Sequence, residues 1–398
     1  MFRFAVITVK IIQVANKQEV ITTFKENFIS MPSVFFSPGR INLIGEHIDY
    51  NHGYVMPAAI DKGIWFAIAA NHSETVNFIS VDLNDRFSVS LNAIQKQESW
   101  KNYLLGVLHV LEENKIVIKG FDCVLGGNLP VGAGLSSSAA VEGGLLFALN
   151  NIFNLGLNGV QMAKFAQKAE HSYPGVKCGI MDMFASLNGK KDHVILLDCV
   201  TLDYQYFPLQ LYDYAIYLIN TKVHHSLASG EYNKRRQDCE DGFVSLQKII
   251  GTNIQSWRDI TSNQIVLHQS ELEERIFKRC LFVTQEIART QAAGELLRRN
   301  NLKAFGNLMY QTHEGLSKLY DVSCDELDFL VEQVKQYPEV LGARVMGGGF
   351  GGCTINIIEK AKADAVLVTV TAAYKKQFNI LPEVYEVAIS NGTHEVKA

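Results

Sequence analysis

The stretch that most constrains this chain is Leu129-Pro130-Val131-Gly132-Ala133-Gly134-Leu135-Ser136-Ser137-Ser138-Ala139-Ala140. Two glycines flank an alanine, three serines follow, and an apolar, helix-favouring run continues to Leu149. The pattern predicts a tight loop feeding the N-terminus of a helix. Such an end carries unpaired backbone N–H groups and the positive end of the helix dipole, so it attracts anions. Gly132 and Gly134 lack a Cβ, which lets a phosphate approach the backbone closely. The serines are candidate helix caps, and one hydroxyl is a candidate Mg²⁺ ligand. An ordinary serine-capped helix after a glycine turn uses the same residues, so the loop alone leaves both readings open. Two better-known phosphate loops are excluded. The pattern G-x-x-x-x-G-K followed by Ser or Thr occurs nowhere, and Ser137 stands where the dinucleotide fingerprint needs its third glycine.

At 398 residues the chain is long enough for two domains. A hydrophobic content of 47% with 20% charged residues is that of a globular protein. Net charge −4 and a pI near 6.3 give no field that would draw nucleic acid or an anionic membrane. Lys234-Arg235-Arg236 reads as a solvated helix face. The seven cysteines are widely spaced and form no C-x-x-C, which argues against a disulfide framework or structural zinc and for a reducing, cytoplasmic compartment. No apolar run approaches the roughly 20 residues of a membrane span. The opening Phe2 to Ile12 is apolar, but Arg3 and Lys10 interrupt it, and it is not read as a signal peptide.

Apolar periodicity predicts a helix from Val14 to Phe28 and a strand at Val34-Phe35-Phe36. A dense region follows, from Ser37 to Gly53, where Arg40, Glu46, His47 and Asp49 lie among glycines; it reads as strand, turn, strand, turn. Strand residues recur over Val55 to Ala70, a hairpin over Val76 to Leu91, a helix over Trp100 to Asn114 and a strand over Val117 to Leu125. Asn158 is a plausible cap for a helix that ends at Glu170 and His171. Asp182 falls in the first turn of a further short helix, where a carboxylate suits the helix dipole whether or not it has a chemical task. Val194 to Leu197 and Tyr214 to Ile219 are strands, with the domain change placed between them, near Leu202 to Gln210. Helices dominate from Gly230 to Gln336. Gly347-Gly348-Gly349-Phe350-Gly351-Gly352 then turns between two strands; a hairpin needs only one or two glycines, and five imply close backbone packing. Ala363 to Tyr374 reads as the last helix and Glu383 to Ala388 as a last edge strand.

Three glycine-bearing motifs in this order resemble the galactokinase family, within the superfamily of galactokinase, homoserine, mevalonate and phosphomevalonate kinases. Gly39 to Asn51 is similar to the signature of the galactokinase branch. Leu129 to Ala140 is similar to the superfamily's phosphate loop, and Gly347 to Cys353 to its C-terminal glycine motif, which supports that loop. The resemblance implies a two-lobed α+β fold with the active site between the lobes. The N-terminal lobe (1–205) would carry a left-handed β-α-β unit, where general rules expect a right-handed one, and the C-terminal lobe (206–398) would be ferredoxin-like.

The resemblance also implies roles. Asp182 matches the catalytic base at the sugar's anomeric hydroxyl, and Arg40 its partner. Glu46, His47, Ile48, Asp49, Gly179 and Tyr232 match the sugar-binding positions. Gly132, Ala133, Gly134, Leu135, Ser136, Ser137 and Ser138 match the triphosphate cradle of ATP, with Ser80 near a nucleotide-contacting stretch. Ser138 and Glu170 match the Mg²⁺ ligands. The implied activity is ATP-dependent phosphorylation of galactose by a monomer, with no nucleic-acid or membrane partner. The chain departs from the family at Ile48 (usually Thr), at Met183 (usually Gln) and at Met346 to Gly349 (often Thr-Gly-Ala-Gly). Ile48 keeps N-acetylgalactosamine or arabinose open as acceptor. A silent sugar and ATP sensor is the reading from another class; the uninterrupted Ser136-Ser137-Ser138-Ala139-Ala140 speaks against it.

Overall fold

The structure, a computed structural model, describes residues 15–130, 133–224 and 228–397. The opening Phe2 to Ile12, the helix start at Val14, and Val131 and Gly132 of the phosphate loop lie outside the described residues.

Helix α1 (Lys17–Asn27) begins at Asn16, whose side chain and that of Glu19 cap each other's backbone N–H. Strand β1 (Ser33–Asn42) runs unbroken through Pro38 and Gly39, where a turn was expected; a bulge between Pro38 and Arg40 absorbs the irregularity. Gly39 is required there, because a Cβ would lie 2.5 Å from the Leu129 side chain and 2.7 Å from Leu135 O. Next come β2 (Tyr54–Val55), β3 (Pro57–Ala70), β4 (Thr75–Ser80), β5 (Asp85–Ser90), α2 (Lys101–Glu113) and β6 (Phe121–Gly127). Strand β2 belongs to a separate three-stranded sheet, whereas β1, β3, β4, β5 and β6 form a six-stranded sheet with the chain's final strand, in the inner order β1-β3-β6-β4-β5. Among its described pairs only β4 with β6 is parallel. Val20 and Phe24 of α1 pack on Ala67, Ala69 and Val124 of this sheet. Helices α3 (Ser137–Phe153), α4 (Gly159–Ser172) and α5 (Met181–Asn188) follow. Asn158 caps α4 as expected, in a reciprocal box with Gln161.

Strand β7 (His193–Asp198) pairs with β2 and with β8 (Tyr204–Pro208). The sequence reading passed over β8 and placed its linker there. Beyond it lie β9 (Tyr214–His224), α6 (Ala228–Ile250), α7 (Ser262–Leu267), α8 (Glu274–Arg298), α9 (Leu302–Gly315) and α10 (Asp325–Val334), then β10 (Val340–Val345), β11 (Gly351–Glu359), α11 (Lys360–Phe378) and β12 (Glu383–Val387). The four strands make an antiparallel sheet in the order β10-β11-β9-β12. It is buried on both faces. Ala215, Tyr217, Ile219 and Ile358 pack with α10 and α11, whereas Ile216, Leu218, Ile355 and Ile357 point into the main core. The chain ends with β13 (His394–Val396), also missed by the sequence reading, which returns to pair with Val34 to Phe36 of β1.

Arg235 corrects another expectation. It is buried rather than solvated, and donates to Tyr320 O, Asp321 and Glu231.

Arg258 clamps the end of the signature loop. Its guanidinium meets both oxygens of Asp198 at 2.6 Å, donates to His52 O and Gly53 O, and lies 4.1 Å from the Tyr54 ring centre. Arg258→Met should lower unfolding free energy by about 2–3 kcal/mol, since several charge-assisted bonds go at once. Urea denaturation of the two proteins measures this.

Candidate functional site

The dense region after β1 and the first turn of α5 meet at one cavity of about 170 Å³. Arg40, Glu46, His47, Asp49, Glu170, Cys178, Gly179, Asp182 and Tyr232 line it, together with Gly347 and Gly348 of the glycine turn. Arg40 and Asp182, far apart in the chain, form a two-pronged pair at its wall, Nε to Oδ1 at 2.7 Å and Nη2 to Oδ2 at 2.9 Å. The third prong of Arg40, Nη1, donates to Gly134 O at 2.6 Å, inside the phosphate loop. Burial works against the Arg40 charge, but Asp182, then Glu46 and Asp49, more than offset it and hold the guanidinium above its ordinary range.

Ser136 corrects the capping expectation. Its backbone is left-handed (φ 57°) and its hydroxyl caps nothing; it donates to Asp182 instead. A carboxylate offers about four lone-pair sites. Arg40 and Ser136 occupy three at Asp182, which leaves one for an incoming hydroxyl.

Glu46 is fixed from the other lobe. Its Oε2 accepts from Arg344 Nη1 at 2.9 Å and from Gly347 N at 3.0 Å. Arg344 is fully buried and also donates to Leu43 O, Asn42 O and Val345 O. Glu286, equally buried, accepts from Gly45 N at 2.9 Å and from the Thr312 hydroxyl. Neither Arg344 nor Glu286 was singled out from sequence. A charged residue inside the apolar run Gly342 to Met346 was the available signal for Arg344; Glu286, on a long mixed helix, offered none.

His47 Nε2 lies 3.2 Å from Gly348 O and Nδ1 2.6 Å from the Tyr50 hydroxyl. A carbonyl only accepts, so Nε2 carries the proton and Nδ1 receives that of Tyr50. Burial pushes the His47 pKa down to about 4, so the ring is neutral. Asp49 keeps part of its surface open, yet burial, then Asp182 and Glu46, push its pKa up to about 7. Gly179 leaves room for Asp49: a Cβ there would stand 1.7 Å from Asp49 Oδ2 and push that side chain aside. Tyr232 lines the cavity from α6. Ile48 does not line it; its side chain is fully buried and packs against Gly53.

A second cavity, about 450 Å³, lies along β4, β6 and the start of α3. Ser80, Ser137 and Ser138 line it with Trp100, Tyr103, Leu129 and Val141; the two aromatics on this wall were not anticipated. Ser138 lines this cavity and Glu170 the first, and the Ser138 hydroxyl favours the charged form of Glu170, so the two cavities adjoin there. Burial raises the Glu170 pKa to about 7, with Ser138 opposing and Asp182 adding to the rise. Gly134 is exposed, and a Cβ there would meet nothing nearer than Met346 O at 3.7 Å, whereas Ala133 and Leu135 on either side are buried, so the loop turns its glycine toward the open space where an anion can approach the backbone. Gly132 lies outside the described residues. The donor set fits a triphosphate with Mg²⁺. Among the described residues no three acidic, His or Cys side chains converge to hold a metal alone, and Mg²⁺ is ordinarily held by one or two carboxylates plus substrate phosphates.

Three family profiles match the chain in order. They are the galactokinase galactose-binding signature at 22–70, the GHMP kinases N terminal domain at 102–190 and the GHMP kinases C terminal at 294–376. The galactokinase of Clostridium perfringens is 42% identical over 94% of this chain and 98% of its own. The chain belongs to the galactokinase family. The galactokinase of Thermosipho africanus is 39% identical over 91% of this chain and 99% of its own. The crystal structure of Lactococcus lactis galactokinase complexed with galactose superposes with a TM-score of 0.91, at 32% identity over 95% of this chain and 99% of that one. The Methanococcus jannaschii mevalonate kinase, at 18% identity and a TM-score of 0.62, shares the fold. The chain is thus a two-lobed α+β phosphotransferase with an alcohol group as acceptor. No helix among its described residues is long and apolar enough to cross a membrane.

Asp49 makes the site's pH dependence testable. Its native pKa of about 7 exceeds the ordinary 3.8, so between the two values the native state holds a proton that the unfolded chain has released. Native stability therefore falls as pH rises through this window. Asp49→Asn removes the effect. Its melting temperature should match that of the parent near about pH 4 and exceed it increasingly toward about pH 8. Thermal melts across that range check this; a variant that loses ground with rising pH would show that Arg40 stabilises the Asp49 charge instead.

Proposed function

We propose that this chain transfers the γ-phosphoryl group of ATP to the anomeric hydroxyl of α-D-galactose, giving galactose 1-phosphate and ADP as a step of galactose catabolism. The observation that carries the proposal is the Arg40–Asp182 pair. It stands in the wall of a carboxylate-lined cavity and is bonded directly to the phosphate loop. Glu46, His47, Asp49, Gly179 and Tyr232 bind the sugar. Carboxylates accept paired bonds from vicinal hydroxyls, and an epimer leaves such buried groups unpaired, so a site of this kind discriminates strongly.

Asp182 uses its remaining lone pair to orient the anomeric hydroxyl and takes its proton as the new O–P bond forms. Arg40 stabilises the charge that develops on the oxygen and the moving phosphoryl group. The N–H groups of the Gly132 to Ser138 loop hold the phosphates, and the second cavity, with Ser80, takes the nucleoside. Ser138 and Glu170 hold Mg²⁺, which when bound neutralises phosphate charge. The protein acts in the cytoplasm as a monomer, with the active site between lobes 1–205 and 206–398. Galactose is favoured over N-acetylgalactosamine or arabinose because Ile48, the reason to consider those sugars, faces the core. The sensor reading is disfavoured because Ser136 is engaged with Asp182.

A coupled ADP-release assay over a panel of sugars tests the proposal. Galactose should give the highest kcat/KM, and Asp182→Asn should lose about 10²- to 10⁴-fold in kcat while retaining its fold by circular dichroism. Undiminished turnover by that variant, or a poor rank for galactose, would sink it.

A further inference from the structure

The helix pair that carries Ser138 and Glu170 holds one more acid that the reaction above does not use. Glu142 lies one helical turn after Ser138, on the same face of α3. It is fully buried, and among the described residues neither of its carboxylate oxygens has a hydrogen-bond partner. Its neighbours along the helix are Ala139, Ala140, Val141, Gly143, Gly144 and Leu145, all apolar. Glu170 is the charged group that bears on it. Both acids also bear on Tyr103 of α2, whose side chain lines the second cavity. Ser138 and Tyr103 line the second cavity and Glu170 the first, while Glu142, which lines neither, is enclosed one turn from Ser138 where α2, α3 and α4 meet.

Packing does not account for a glutamate at this place. An unpartnered buried carboxyl is destabilising, and an apolar side chain of similar volume would pack without that cost. A divalent cation beside Glu170 supplies what the protein itself does not. Mg²⁺ keeps several of its waters when bound, and groups that accept from those waters commonly set metal affinity by 10- to 100-fold.

We propose that Glu142 is a positioning residue of the cation site, a second carboxylate behind Glu170 that accepts hydrogen bonds from the hydration shell of a divalent ion held by Ser138, Glu170 and the nucleotide phosphates. The inference rests on the assignment of Ser138 and Glu170 to the cation.

Mn²⁺ is the probe. Its affinity for the full-length protein saturated with a non-hydrolysable ATP analogue is read from the free-ion electron paramagnetic resonance signal. Glu142→Gln, which keeps the shape, should weaken Mn²⁺ about 10-fold or more. Binding of the metal-free analogue should stay unchanged, and the unliganded melting temperature should be equal or higher. Glu142→Leu should show the same pattern. A folded Glu142→Gln protein that binds Mn²⁺ within about two-fold of the parent overturns the proposal. So does loss of the unliganded fold in both variants, because the carboxyl then serves packing. Glu170→Gln separates the two levels. If that variant keeps full Mn²⁺ affinity, the underlying cation assignment fails; if it loses affinity while Glu142→Gln does not, only the role of Glu142 fails.

Discussion

Arg344 is the contact on which the arrangement of this molecule turns. Its guanidinium is wholly buried, and each of its three nitrogens bonds to the other lobe's signature loop or its own strand, through Leu43 O, Asn42 O, Val345 O and Glu46. A buried cation is tolerable only when every donor finds an acceptor, and removal of one partner strands the other. The pair therefore does little for net stability but admits a single relation between β10 and the loop from Leu43 to Glu46. Glu286 adds a second anchor on the same loop, at Gly45 N. Two fully buried charges from the C-terminal half thus hold the segment that presents Glu46, His47 and Asp49.

The consequence reaches the phosphate loop. Gly347 N bonds to Glu46, a Cβ on Gly347 would come within 3.4 Å of Gly134 O, and that same oxygen accepts from Arg40, which grips Asp182. Ser136, two residues on, closes the circuit at Asp182. The glycine turn is small because it lies between two functional loops and must touch both. Phosphoryl transfer depends on positioning and charge neutralisation more than on covalent chemistry, and here the groups proposed to bind acceptor and phosphate share one rigid backbone path.

What was legible in the sequence was what is local. Asn158 and Gln161 cap each other three residues apart, so no distant partner was needed to predict that helix start. The three glycine motifs were legible for the same reason, and the comparisons bear out the family they pointed to. What depends on a distant partner was not. Strand β13 exists only because β1 offers it an edge far away in the chain. The Pro38-Gly39 step reads as a turn until Gly63 and Leu135 are known to lie against it. Arg235 reads as solvated until Tyr320 and Asp321 close over it. Ser136 reads as a cap because capping is what serine does next to a helix, and only the fold reveals that Asp182 is the stronger acceptor within reach.

The acids around the two cavities are arranged for ligands and against the empty protein. Burial and mutual repulsion raise Asp49 and Glu170 to about 7, and Glu142 lies nearby with no partner among the described residues. Arg40 is already committed to Asp182, and Arg344 to Glu46. No packing argument favours so many carboxyls in so small a volume; replaced by apolar groups, several would leave a more stable fold. Their crowding would become favourable if sugar hydroxyls and a hydrated cation filled the cavities as proposed, because each acid would then gain the bonds that the unliganded protein withholds. A site that is destabilising when empty binds what completes it, and this is the physical sense in which stability has been exchanged here for recognition.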